Sequence, residues 1–161
     1  MFYHVTHSSR VPSILEQGLD PLHKSDFTLS LNSTLETHLG DSPIIYARNN
    51  GIFLYSKKPT NLSGKQDYRL LEIYIDSASN TYCADSQHID PIMRGVIYLK
   101  SGGTYDETRT DIFLSDEDMY SQVIKYANSW STWSTSAAAK LSIPEIIYVG
   151  KILPSQIKVL P

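Results

Sequence analysis

Residues 1–21 read MFYHVTHSSRVPSILEQGLDP, and the order of features in this stretch decides how the rest of the chain is read. An apolar, β-prone start over residues 2–5 reads as a short strand that delivers His4, Thr6 and His7. The chain then turns directly into a helix. Ser8 or Ser9 supplies a cap, and Pro12 fits only the first turn, where its missing N–H leaves no bond unmade. Val11, Ile14, Leu15 and Leu19 recur at helical spacing, and Gly18 fits a left-handed C-terminal cap.

Working outward, residues 20–42 scatter Asp, Ser, Thr, Asn and Gly and read as mostly irregular. Residues 43–47 (PIIYA) and 51–55 (GIFLY) are strand-like runs split by Asn49-Asn50-Gly51, for which a hairpin turn is one option. Residues 70–75 (LLEIYI) carry β-type composition with partial alternation. Residues 95–99 (GVIYL) and 111–114 (DIFL) read as further strands around a Gly102-Gly103 turn. Ser115 with Asp118 three residues on resembles a capping box, and Met119, Val123, Ile124 and Ala127 give the following helix one apolar face. A polar segment over 128–139 carries both tryptophans, and strands over 145–149 and 157–160 close the chain around Gly150. Short strands without a strand–helix rhythm predict an α+β, mostly antiparallel fold, with residues 1–161 as one domain.

Composition narrows the classes. The chain is 41% hydrophobic and 19% charged, which is globular rather than disordered. No apolar run approaches the roughly 20 residues of a membrane span, and the start lacks a charged signal-peptide region, so no membrane partner is expected. The single Cys83 excludes an internal disulfide framework and a Cys-based zinc site, and it fits a reducing, cytoplasmic setting. A net charge of −3 argues against a dedicated duplex-DNA binder, while leaving room for a single strand held by stacking.

Other patterns carry no chemistry of their own. Asp85, His88 and Asp90 are close in sequence but have no second cluster, so they read as solvated loop residues and no metal is expected. Gly102-Gly103 has no helix or Walker-type Lys after it, and no Ser sits in a G-x-S-x-G elbow.

Three runs in a fixed order are more specific. FYHVT (2–6), GIFLYSKKP (51–59) and IPEIIYVGKILPSQIKVL (143–160) resemble the three successive motifs of the ADP-ribosyltransferase superfamily: a His on the first strand, an aromatic strand, and a Glu opening a late strand. YRLLEIYID (68–76) is similar to that family's central strand. Within the superfamily, HVTH and SSRVPSILEQGL look closest to the DarT-type DNA ADP-ribosyltransferases, which also use an Arg after the first helix. Arg48 is the Arg in that region.

The resemblance implies a split antiparallel sheet core with an NAD cleft between its halves, and transfer of ADP-ribose from NAD to a macromolecular acceptor with release of nicotinamide. His4 and Thr6 would hold a ribose edge, and the backbone of Val5 would grip the nicotinamide amide. Phe53, in the family's Tyr position, would stack on nicotinamide, with Tyr55 two residues on sharing that strand face. Glu145 would be the catalytic carboxylate, stabilising an oxocarbenium-like state, with Pro144 stiffening its approach. Trp130 and Trp133, in the loop where relatives recognise the acceptor, would stack on a base; the alternative is that they pack against the helix over 116–127.

The acceptor class stays open among protein, DNA, RNA and small molecules, with protein or single-stranded nucleic acid favoured. So does the biological role: a toxin, a phage–host weapon and an antibiotic-modifying enzyme all fit. Two alternatives stand beside the transferase. One is an NAD-dependent RNA 2′-phosphotransferase, which needs paired Arg and His elements, for which His4, His7 and Arg10 are the residues near one another. The other is a non-catalytic binding module of the same fold, which the Phe53 substitution allows.

Overall fold

The first strand, β1 (Phe2–His7), is longer than its apolar start and pairs antiparallel with β3 (Tyr68–Ile73), with His4 opposite Leu71 and Thr6 opposite Arg69. β3 pairs in turn with β7 (Ile157–Val159), giving a three-stranded sheet of order β1-β3-β7. A second antiparallel sheet has the order β2-β6-β4-β5, from β2 (Gly51–Leu54), β6 (Pro144–Val149), β4 (Thr81–Asp85) and β5 (Ser131–Thr132). The computed structural model describes residues 1–60, 67–75 and 79–161. Asp76, the last residue of the run quoted over 68–76, lies outside the described residues. The two antiparallel sheets and their flanking helices make the chain α+β.

Among the described residues, a backbone bridge joins the two sheets. Tyr3 and Tyr55 exchange two backbone hydrogen bonds, of 2.9 and 2.8 Å, so β1 and the end of β2 run side by side just there. One apolar cluster fills the space between the sheets: Phe2, Leu71 and Ile73 from the first, Ile52, Leu54, Cys83 and Ile146 from the second, closed by Ile14 of α1 (Val11–Gln17). A second cluster lies under a helical layer on the other face of the four-stranded sheet. There Leu31 and Leu35 of α2 (Asp26–Leu39), Ile44 and Ile45 of α3 (Pro43–Asn50), Ile92 and Val96 of α4 (Asp90–Lys100), and Val123 and Tyr126 of α5 (Asp116–Ser129) meet Ala84.

Several expectations are corrected. Residues 20–42 are not irregular: Ser25 accepts from the Thr28 N–H, Leu31 and Leu35 recur four apart on the buried side, and α2 runs to a Gly40 cap. Residues 43–47 are helix, not strand, because Ser42 caps the first turn and Pro43 opens it, a position where Pro is favoured. The Asn49-Asn50-Gly51 run is accordingly no hairpin turn; α3 passes straight into β2. Residues 95–99 belong to α4, where Asp90-Pro91 opens the helix and Ile92, Gly95 and Val96 line its buried side. Tertiary burial overrides the β propensity of GVIYL there. Residues 111–114 form turn and coil, with Phe113 packed edge-on to Tyr98 of α4 at 5.8 Å.

Other readings hold. The strands over 51–54, 70–73 and 145–149 are present, as is α5 with Ser115 accepting from the Asp118 N–H. At the first helix the cap is neither serine: His7 Nδ1 accepts from Ser9 N before a 3₁₀ turn, and α1 follows with Pro12 in its first turn. Gly18 does have positive φ, but at φ 84°, ψ −174° it lies in the extended glycine-only region rather than the left-handed helical one. That conformation turns Leu19 into a bridge with Ile152.

A Cβ on Gly18 would stand 2.1 Å from the Ile152 carbonyl oxygen. Gly18→Ala therefore combines backbone strain with overpacking and should destabilise the fold by about 2–4 kcal/mol, read as a lowered urea midpoint at unchanged slope.

Candidate functional site

The site is built around an arginine on α3. Helical spacing from Ile44 turns Arg48 inward beside the second apolar cluster, where its side chain is 1% exposed. A buried guanidinium must have partners, and this one has them from three other elements. Its Nη1 donates to Glu145 Oε2 of β6 at 2.5 Å and to the Tyr126 hydroxyl of α5 at 2.6 Å, and Nε donates to Asn32 Oδ1 of α2 at 2.8 Å. Asn32 passes the link on, donating from Nδ2 to Asn49 Oδ1 at 2.7 Å. Tyr126 in turn donates to Glu145 Oε2.

Charge states follow from these contacts. Burial works against the charge on Arg48, and the adjacent Glu145 carboxylate outweighs it, so the guanidinium holds its proton more firmly than usual. Burial, reinforced by the charge of Glu145, pushes the Tyr126 hydroxyl well above the ordinary phenol range. Tyr126 is therefore a fixed neutral donor. Both bonds to Glu145 fall on Oε2, and its side chain remains 14% exposed.

Phe53 connects this network to the first strand. It lies opposite Ile147 in the β2–β6 register, close to Glu145, and the Arg48 guanidinium carbon sits 5.1 Å from its ring centroid. Its carbonyl oxygen is 3.0 Å from His4 Nδ1 across the meeting of the two sheets. A carbonyl only accepts, so Nδ1 carries the proton and neutral His4 presents Nε2 as an acceptor. Burial lowers the His4 pKa, the Phe53 carbonyl opposes this, and the positive charges of Arg10 and Lys24 add to the lowering. The imidazole is thus neutral near pH 7.

The remaining residues named from sequence are distributed as follows. Thr6 is buried on the same face of β1 as His4, and Val5 alternates to the other face. Tyr55 is 49% exposed beyond the end of β2, at the bridge to Tyr3. Trp130 and Trp133 are not free platforms in a flexible loop. Trp130 is half-buried and stacked on Tyr82 at 5.3 Å, and Trp133 packs edge-on to Phe2 at 4.8 Å inside the first cluster. The packing alternative describes them, although their partners are mainly β4 and β1, and β5 and the short α6 (Thr135–Ala138) order the segment between and after them. His7 lies on the opposite face of β1 from His4, its ring edge-on to Tyr68 at 5.7 Å, so the two histidines do not converge.

Asp85 is not a solvated loop residue. It ends β4 at 6% exposure and holds the chain just ahead of Glu145: its carboxylate accepts from Ser142 N at 2.8 Å, Ile143 N at 3.0 Å and Gln87 N at 3.2 Å. Ser86 completes the clamp, donating from N and Oγ to the Ile143 carbonyl. Burial opposes ionisation of Asp85, but these backbone donors outweigh it and hold the carboxyl below its ordinary range.

Sequence reasoning singled out His4, Phe53 and Glu145 but missed Lys24, Asn32 and Tyr126 as members of the same cluster of side chains. Lys24 donates to the Gly51 carbonyl and lies 5.5 Å from the Phe53 centroid. The one available signal was Tyr126 itself, at the spacing of Met119 and Val123 on the buried face of α5, because a buried hydroxyl requires a partner. Among the described residues there is no group of three or more His, Cys, Asp or Glu suited to a metal ion, and no helix is long and apolar enough to cross a membrane. Comparison of the chain with protein-family models, with curated proteins and with solved structures finds no match.

Arg48→Met strands Glu145, Tyr126 and Asn32 together and should cost about 3–5 kcal/mol. A double-mutant cycle with Glu145→Gln should give a coupling of about 2 kcal/mol or more, measured by urea unfolding. For Asp85, the folded-state pKa lies below the unfolded one. Its contribution is complete above the ordinary carboxylate value of about 3.9 and disappears as pH falls through the depressed folded value. Asp85→Asn should therefore destabilise the protein near pH 7 by about 1.5–3 kcal/mol and flatten the acid limb of its stability profile.

Proposed function

We propose that this chain is an ADP-ribosyltransferase-like enzyme that cleaves NAD at the nicotinamide–ribose bond and transfers ADP-ribose to an acceptor. One observation supports the reading: His4, Phe53 and Glu145, from segments far apart in the chain, come together near the meeting of two antiparallel sheets, linked through the Phe53 carbonyl and through Arg48.

The chemistry assigns each residue a task. The C1′–N bond to nicotinamide breaks with its electron pair leaving on the ring nitrogen, and positive charge develops on the ribose C1′ and ring oxygen. Glu145 opposes that charge through Oε1, while Arg48 and Tyr126 hold Oε2 and so fix the carboxylate before substrate arrives. The acceptor's lone pair forms the new bond to C1′, and its proton passes to Glu145 or solvent. Neutral His4 accepts a ribose hydroxyl at Nε2. Phe53 offers a ring face to the departing nicotinamide, in place of the tyrosine expected by resemblance. NAD is a substrate throughout, and no metal enters the scheme.

This assignment favours the transferase over an RNA 2′-phosphotransferase, since His7 faces away from His4 and the cleft gains no second imidazole. The acceptor is a protein or a single-stranded nucleic acid on this reading.

The test is nicotinamide release from NAD by wild type and Glu145→Gln, with NAD binding followed by calorimetry and folding by thermal melting. Release should fall about 100-fold or more in the variant while NAD still binds a melting, folded protein. Equal release from both proteins removes Glu145 from the mechanism. Binding without release in wild type, across protein and single-stranded nucleic-acid acceptors, leaves a non-catalytic module.

A further inference from the structure

Lys24 lies in the cleft yet has no part in the bond-breaking step. It belongs to the loop between α1 and α2, half-buried, with its ammonium 5.5 Å from the Phe53 centroid. The Arg48 guanidinium stands 5.1 Å from the same ring. Two cations therefore share one aromatic side chain, while Glu145 pairs with Arg48 alone. The charges that act on Lys24 are Arg48 on α3, which disfavours its proton, and Asp20 in its own loop, which favours it. His4 on β1 senses both Lys24 and Arg10 as positive neighbours. Burial and Arg48 together hold the Lys24 ammonium down to about 8.

An ammonium offers three donors, and the Gly51 carbonyl is the one hydrogen-bond acceptor it meets among the described residues. A half-buried cation beside a second cation, held by one carbonyl, a ring face and the charge of Asp20, has donors to spare for an incoming anion. The nicotinamide ring of NAD is itself cationic and a ribose is neutral, so this positive charge matches neither, whereas it does match phosphate oxygens.

We propose that Lys24 is an anion-binding residue of this cleft, taking the phosphate oxygens of the dinucleotide while Arg48 stays committed to Glu145. The identity of the anion as a dinucleotide diphosphate rests on the NAD reading; the anion preference rests on the charges themselves. Affinity for the anion should weaken as pH rises through about 8, where the ammonium loses its proton.

The experiment is calorimetric titration of inorganic pyrophosphate, ADP-ribose and nicotinamide into wild type, Lys24→Met and Lys24→Arg, at pH 7 and pH 9. Lys24→Met should weaken pyrophosphate and ADP-ribose about tenfold or more at pH 7, leave nicotinamide within about twofold, and keep the wild-type melting temperature. Lys24→Arg should retain anion binding and lose the wild-type weakening between pH 7 and pH 9, because a guanidinium stays charged. Equal anion affinity in wild type and Lys24→Met overturns the proposal, as does a wild type that binds neither anion. Lys24-dependent binding of pyrophosphate with no binding of ADP-ribose upholds the anion site and overturns the NAD reading.

Discussion

The burial of one arginine constrains more of this molecule than any other single feature. Removing a guanidinium from water carries a penalty of several kcal/mol, and only well-placed partners offset it. Arg48 finds them on three other elements: Glu145 on β6, Tyr126 on α5 and Asn32 on α2. None of the three comes from its own helix, so the charge is satisfied only when α2, α3 and α5 are all seated on the four-stranded sheet. The same requirement fixes the Glu145 carboxylate. A residue that sequence offers as a lone glutamate after a proline becomes a held group with one oxygen committed to two donors.

A second consequence concerns the division between the sheets. The three-stranded sheet contributes His4 and the four-stranded sheet contributes Phe53 and Glu145, and the backbone link between them is the Tyr3–Tyr55 bridge. The His4–Phe53 contact lies next to that bridge, so the tautomer of the imidazole is set by the same meeting of strands that creates the cleft. Architecture and protonation are here one fact.

Much of this was legible in the sequence, and the parts that were not share a cause. Strands with apolar side chains on a sheet interior, such as residues 51–54 and 145–149, announce themselves through composition, and α5 does so through Ser115 and its apolar stripe. The helices at 43–50 and 90–100 were hidden because their runs of Ile, Val and Tyr favour strands locally while packing favours helix, and the helix at 26–39 because its scattered Ser, Thr and Asn read as loop. Their signatures sat at the ends instead: Ser25, Ser42-Pro43 and Asp90-Pro91. Reading α3 as a strand cost the site its centre, since only helical spacing aligns Arg48 with Ile44 and turns it toward Glu145. Lys24 and Asn32 carry no local signal; what makes them matter is proximity across the fold, which no single segment encodes.

The clamp formed by Asp85 and Ser86 has a bearing on how such a chain changes over generations. Residues 142–143 are tied to β4 through backbone atoms, so their side chains are free to vary without loosening the hold. Upstream, residues 134–141 include the short α6 and are largely exposed. Insertions and substitutions there are insulated from the carboxylate by an anchor that reads no side chain. The exposed segment ahead of the clamp can thus vary while the clamp holds the chain that leads into Glu145.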